Sequence, residues 1–183
     1  MRLTNSLLAM TILALIICSI TTATRSLAQA NACIVDAEMV RLRFPRCALR
    51  MQNGHQFVPA KYIKQLDWNR YDLAWLGIED DGWVYVNRAG KIVLRHIATM
   101  DNGADDFHHG IVRVLIAGKY GFIDSRGRVV VPAEYDSATN TEDTPPVVNR
   151  GCESQTKGEY TFCVGGKSFQ VHRDGKLTPT KPR

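Results

Sequence analysis

The densest group of potential metal ligands in the chain is Asp105, Asp106, His108 and His109, placed just ahead of an apolar run that starts at Ile111. Carboxylates and imidazoles are donors that a transition metal takes. Their spacing argues against a site made by them alone, because side chains alternate across a strand and His108 and His109 would then face opposite sides. The group is expected to be a polar loop between structural units. Gly166, Lys167 and Ser168 match the end of a phosphate-binding loop, yet Thr161 stands where its leading glycine is required, so the cradle does not form. No Gly-x-Ser-x-Gly elbow occurs that would expose a serine nucleophile. The expectation is a protein with no catalytic residue, no cofactor and no metal, and therefore not an enzyme.

The remaining reactive residues are Cys18, Cys33, Cys47, Cys152 and Cys163. Cys18 lies in a leader: Arg2 opens it, Leu7 to Ile20 is almost wholly apolar, and residues 1–30 contain no Asp or Glu. A basic start, an apolar middle and the small residues Ala28 and Ala30 around Gln29 are the three parts of a signal peptide. Cleavage is expected after Ala30, or after Ala28 with Ser26 as its small partner. Retained instead, the stretch between Arg2 and Arg25 would be just long enough to anchor the chain in a thin bilayer. Ile17 before Cys18, and Ala30 three residues before Cys33, argue against lipidation.

Without the leader four cysteines remain, an even number that suits an oxidising compartment, the periplasm or the exterior. Three connectivities are open. The local one, Cys33 with Cys47 and Cys152 with Cys163, is favoured because each pair brackets a hairpin-like segment. Zinc is disfavoured by the wide spacings.

Removing 30 of the 183 residues leaves 153, enough for one domain over 31–183. Arg2 and Arg25 go with the leader, so 21 basic residues face 18 acidic ones. The two signs are interleaved, apart from Arg41, Arg43, Arg46 and Arg50, which are expected to form a solvated strand face. A nucleic-acid partner is not expected.

The elements that position these residues come from an internal repeat. From Gly118 to Asp136 the chain runs GKYGFIDSRGRVVVPAEYD, with strand-forming residues on both sides of a Ser125–Gly127 turn. GWVYVNRAGKIVL from Gly82 repeats it without gaps: Trp83 falls on Tyr120, Val86 on Ile123, Asn87 on Asp124 and Gly90 on Gly127. Upstream, Gly54, Val58, Pro59, Ala60 and Tyr62 repeat the later half. Downstream, GKSFQVHRDGK from Gly166 places His172 on Asp124 and Gly175 on Gly127. Hairpin units are thus expected near 47–62, 82–98, 118–136 and 164–176, with a disulfide-pinned insertion near 151–163. Another apolar stretch precedes each of the later hairpins, at Leu73 to Ile78, Ile111 to Ile116 and Val147 to Val148, making about three strands per unit. Pro59 and Pro132 are expected to end pairing, since proline has no N–H for the ladder.

The expected fold is all-β: antiparallel hairpin or meander repeats stacked in one small domain, because a single unit buries too little apolar area to offset its ordering entropy. Trp83, Tyr120, Phe122 and Tyr135 are expected to fill the space between units.

The Gly118 unit resembles the bacterial WG-repeat module, whose units run glycine, lysine, tryptophan, glycine, aromatic, isoleucine, aspartate, turn glycine, hydrophobics and proline. Tyr120 stands in the tryptophan place, while Val84 and Ser168 depart from the pattern in the other copies. The resemblance covers roughly residues 48–176. It implies a scaffold for interactions, of the kind found in exported or surface-associated proteins, and carries over no functional residue. The expected function is that of an exported binding module for a protein or glycan, with a structural, envelope-associated role as the alternative. Trp68 and Trp75, outside the repeated core positions, and His108 and His109, in the inter-unit loop, are the candidate partner-binding residues.

Overall fold

The computed structural model describes residues 30–37, 40–50, 55–100, 103–158 and 160–180. The leader, the alternative cleavage position at Ala28 and the turn glycine Gly54 lie outside the described residues, and Ala30 opens the first strand. Runs rich in Val, Ile and aromatic residues form strands wherever Gly, Asn or Asp turns bound them. The first unit is β1 (Ala30–Ala37), β2 (Val40–Arg50) and β3 (Gln56–Phe57), followed by one helical turn, α1 (Ala60–Ile63). The second is β4 (Leu73–Ile78), β5 (Gly82–Asn87) and β6 (Ile92–Ile97). A short ladder of β7 (Thr99–Met100) and β8 (Gly103–Ala104) leads to the third, β9 (Ile111–Ile116), β10 (Lys119–Asp124) and β11 (Val129–Tyr135). After β12 (Ser137–Thr139), the fourth contains β13 (Val147–Arg150), β16 (Lys167–Val171) and β17 (Leu177–Pro179). The hairpin β14 (Glu153–Lys157) and β15 (Tyr160–Val164) is inserted into it.

The fold is all-β and antiparallel, as the repeat predicts. A nine-stranded sheet runs β11-β10-β9-β6-β5-β4-β1-β2-β3, and a four-stranded one runs β12-β13-β16-β17. Pairing between units is brief: β1 meets β4 at Cys33 and Ile34, and β6 meets β9 only at Ile97 opposite Val114. Neighbouring units therefore turn their faces to one another. Alternation sorts each strand's side chains between two cores. In the second unit Ala74, Leu76, Val84 and Val86 join Cys33, Cys47 and Val58 of the first, whereas Leu73 and Tyr85 join Val112 and Val114 of the third. Phe122 and Val131 of the third unit then meet Val148 and Val171 of the fourth. A strand buried on both faces has no polar alternate positions, which is why LAWLGI is continuous in apolar residues, whereas IVRVLI is buried at Ile111, Val112 and Val114 and exposed at Leu115 and Ile116.

The hairpin turns repeat atom for atom in two units. The Asn87 side-chain oxygen accepts from the N–H groups of Ala89 and Lys91, and the Asp124 carboxylate accepts from those of Arg126 and Arg128. Burial pulls the Asp124 carboxyl upward, but the Arg128 backbone N–H, its guanidinium and the Arg126 N–H outweigh it and hold the group below its ordinary value. Each turn ends on glycine at positive φ, +79° at Gly90, +78° at Gly127 and +83° at Gly175. The turn also lands on the preceding unit. A Cβ on Gly90 would lie 2.1 Å from the Val58 carbonyl oxygen, and one on Gly175 would lie 2.5 Å from that of Val130. On Gly127 it would lie 3.2 Å from Leu94 Cδ2. The recurring glycine thus serves both the turn and the seating of one unit on the next.

The expectation for Pro132 is corrected, while pairing does end ahead of Pro59. Pro132 lies inside β11 rather than at its end, exposed, where the register shifts between Tyr120↔Tyr135 and Phe122↔Val131. An edge strand tolerates proline at a bulge, where no ladder N–H is needed. Pro59 caps α1, because β3 ends after two residues when the Val58 N–H turns to the Gly90 carbonyl of the next unit. Ala60 and Tyr62 are consequently helical, while their sequence counterparts Ala133 and Tyr135 are in a strand. Of the arginines near the start of β2, Arg43 is exposed and paired with Glu79, and Arg46 is exposed. Arg41 and Arg50 have side chains outside those described.

Candidate functional site

The disulfides join Cys33 to Cys47 and Cys152 to Cys163. The first lies buried between the first two units; the second ties the base of the β14–β15 hairpin. Gly166 is a turn residue, and Lys167 and Ser168 begin a strand paired with β13, so this segment holds no phosphate loop.

The acidic–histidine cluster is divided among separate tasks. Asp105 is fully buried, and its carboxylate takes Nε and Nη2 of Arg113 at 2.9 and 3.0 Å together with the Arg113 N–H at 3.2 Å. The same guanidinium donates from Nη1 to the Ala138 carbonyl at 2.9 Å, and the Tyr85 hydroxyl donates to the Asp105 carbonyl at 2.8 Å. This two-pronged ion pair fixes the loop after β6, the start of the third unit and β12 to one another. Burial, reinforced by the neighbouring carboxylates of Asp106 and Asp105, pushes the Tyr85 phenol far above its ordinary range. Asp106 is raised above the usual carboxylate range by desolvation, which the nearby His108 opposes. Among the described residues no group of three or more His, Cys, Asp or Glu is arranged to hold a metal ion.

His108 and His109 are not on a strand. His108 bridges Ile111 by reciprocal backbone hydrogen bonds, with His109 at φ +53° and Gly110 at φ +84° between them. Two successive positive φ values make this a tight hairpin turn of the kind glycine favours at its second position. The His109 Nε2 lies 2.9 and 3.0 Å from the Thr141 and Thr144 carbonyl oxygens, so that nitrogen carries the proton and donates to them.

Trp75 is half-buried against the second core, meeting Trp83 edge to face at 5.3 Å, with Gly103 packed on its ring. Trp68 is half-buried against the first core and covered by the Arg88 guanidinium at 4.5 Å. Neither ring lines the groove that His109 enters.

That groove has a volume of about 630 Å³ and is bounded by Arg70, Tyr71, His109, Gly110, Pro145, Pro146, Gln170, Val171, His172 and Arg173. Three units build it. Asn69 holds the first wall, its side-chain oxygen accepting from the N–H groups of Tyr71 and Leu73 at 2.9 and 3.2 Å. The His109–Gly110 turn supplies the second. The third is the end of β16 and the start of the last hairpin turn, where His172 replaces the Asn or Asp of the other turns. An imidazole there does not repeat their double capping; Asp174 accepts from Lys176 instead, and the His172 Nε2 meets the Thr178 hydroxyl at 2.9 Å.

The lining has two arginines, two histidines and no carboxylate. Arg70 lies over the Tyr71 ring at 5.1 Å. Among the described residues, neither Arg70 nor Arg173 forms an ion pair, and the Tyr71 hydroxyl has no hydrogen-bond partner. Of the sequence candidates only His109 reaches the groove; Arg70, Tyr71, His172 and Arg173 escaped sequence reasoning. The usable signal was the fourth copy's departure from the turn pattern at His172.

A family model described as the WG containing repeat matches residues 120–143, covering β10, β11 and β12. No curated protein and no solved structure matches the chain. The matched unit is the one whose turn capping and strand register are reproduced in the unit before it, with Asn87 in the place of Asp124, so residues 120–143 are similar to a WG containing repeat.

Proposed function

We propose that the protein is an extracytoplasmic interaction module that binds without turning over its ligand, with the groove among the second, third and fourth units as its contact site. The observation that carries this reading is how the polar side chains are engaged. Asp105 holds Arg113, the His109 Nε2 holds the 141–144 loop and four cysteines are paired, whereas the Tyr71 hydroxyl and the Arg173 guanidinium border one groove beside Gly110. Rigid repeat surfaces with variable loops are suited to binding. The composition of residues 1–30 and two disulfides support export to an oxidising compartment.

Crosslinking in intact cells followed by fractionation tests the reading. A soluble complex lost on substituting groove residues is the expected result. Retention with the envelope at high salt would favour a structural role instead. Hydrolysis of peptidoglycan, esters or peptides by the purified protein, abolished by a single His or Asp substitution, would overturn it.

A further inference from the structure

Gly110 faces the groove, and a Cβ built on it would lie 3.8 Å from the Tyr71 hydroxyl oxygen and 3.9 Å from both Nε and Nη2 of Arg173. The positive φ of the turn already calls for glycine. The convergence is a separate fact: one hydroxyl and one guanidinium from different units border the space a side chain would occupy. Guanidinium N–H pairs match the geometry of a carboxylate or phosphate, and a hydroxyl adds a third donor. Arg70, which forms no ion pair among the described residues, brings a second positive charge, while Pro145, Pro146 and the Tyr71 ring give the same groove apolar surface.

We propose that the groove is an oxyanion-binding site that receives a small acidic ligand, its carboxylate or phosphate oxygens held over Gly110 by Tyr71 and Arg173. A volume of about 630 Å³ accommodates one or two sugar rings bearing such a group. This deepens the interaction-module reading and rests on it.

Isothermal titration of the purified, disulfide-intact protein with digalacturonate, its uncharged dimethyl ester and inorganic phosphate tests the assignment. Digalacturonate is expected to bind, and its ester about tenfold or more weaker, the loss that one charge-assisted hydrogen bond accounts for. Tyr71→Phe and Arg173→Gln are expected to weaken binding about tenfold each with the unfolding midpoint unchanged, and added salt to weaken it further. Phosphate binding as tightly as the sugar acid supports the site and names the free anion as its ligand; binding of the sugar acid alone names the saccharide. Equal affinity for acid and ester, unchanged affinity in both variants, or binding of neither anion overturns the proposal. Such failure leaves a partner captured by crosslinking in place, whereas catalytic turnover would remove the underlying reading itself.

Discussion

Replacing Gly90 by alanine measures how firmly one unit is seated on the next. Gly118 is the control: its φ of +76° nearly equals the +79° of Gly90, but nothing lies within 4 Å of a Cβ built there. Left-handed backbone strain costs alanine about 1 kcal/mol at either position. At Gly90 the new Cβ falls 2.1 Å from the Val58 carbonyl oxygen, which is backbone and cannot rotate aside. The turn must lift, breaking the 2.8 Å hydrogen bond from the Val58 N–H to the Gly90 carbonyl, worth about 1 kcal/mol. Lifting also opens the packing around Val58, which is 1% exposed, for about a further 1–2 kcal/mol. Gly90→Ala should therefore cost about 3–4 kcal/mol and Gly118→Ala about 1 kcal/mol. Gly127→Ala should fall between them, because Leu94 Cδ2 at 3.2 Å is the end of a side chain that can swing away. Urea unfolding of the oxidised protein, followed by both tryptophan fluorescence and circular dichroism, gives the three values. Losses for Gly90→Ala and Gly118→Ala that agree within about 0.5 kcal/mol would refute the seating mechanism.

Arg113→Met leaves the fully buried Asp105 carboxylate without its countercharge and should cost about 3–5 kcal/mol. Adding Asp105→Asn should recover part of that loss; a double variant less stable than the single one would contradict the pairing. Removing Cys33 and Cys47 together by alanine should lower global stability by about 3 kcal/mol, as loop entropy predicts for a bridge inside the first core. Replacing Cys152 and Cys163 should leave the global midpoint nearly unchanged and speed amide exchange in β14 and β15. That hairpin is its own two-stranded sheet with exposed side chains on β14, so its opening is local.

The all-β class, the register of the repeat and the turn glycines were legible in the linear order of residues. Turn chemistry and strand propensity are local, and they recur with the same neighbours, as Asn87 with Gly90 and Asp124 with Gly127 show. The upstream copy misled because its match at Val58, Pro59, Ala60 and Tyr62 is equally local, whereas the fate of those residues depends on Gly90 taking the Val58 N–H. Proximity across units decided the rest. Asp105 stands among candidate metal ligands in sequence, yet Arg113, eight residues away, claims its carboxylate once β9 and the preceding loop pack together. Tyr71, Gly110 and Arg173 are separated by 39 and 63 positions and meet only because the units adjoin. Local preferences act over a few bonds and leave a mark on composition; a groove made by three separated segments exists only after the cores between them have formed.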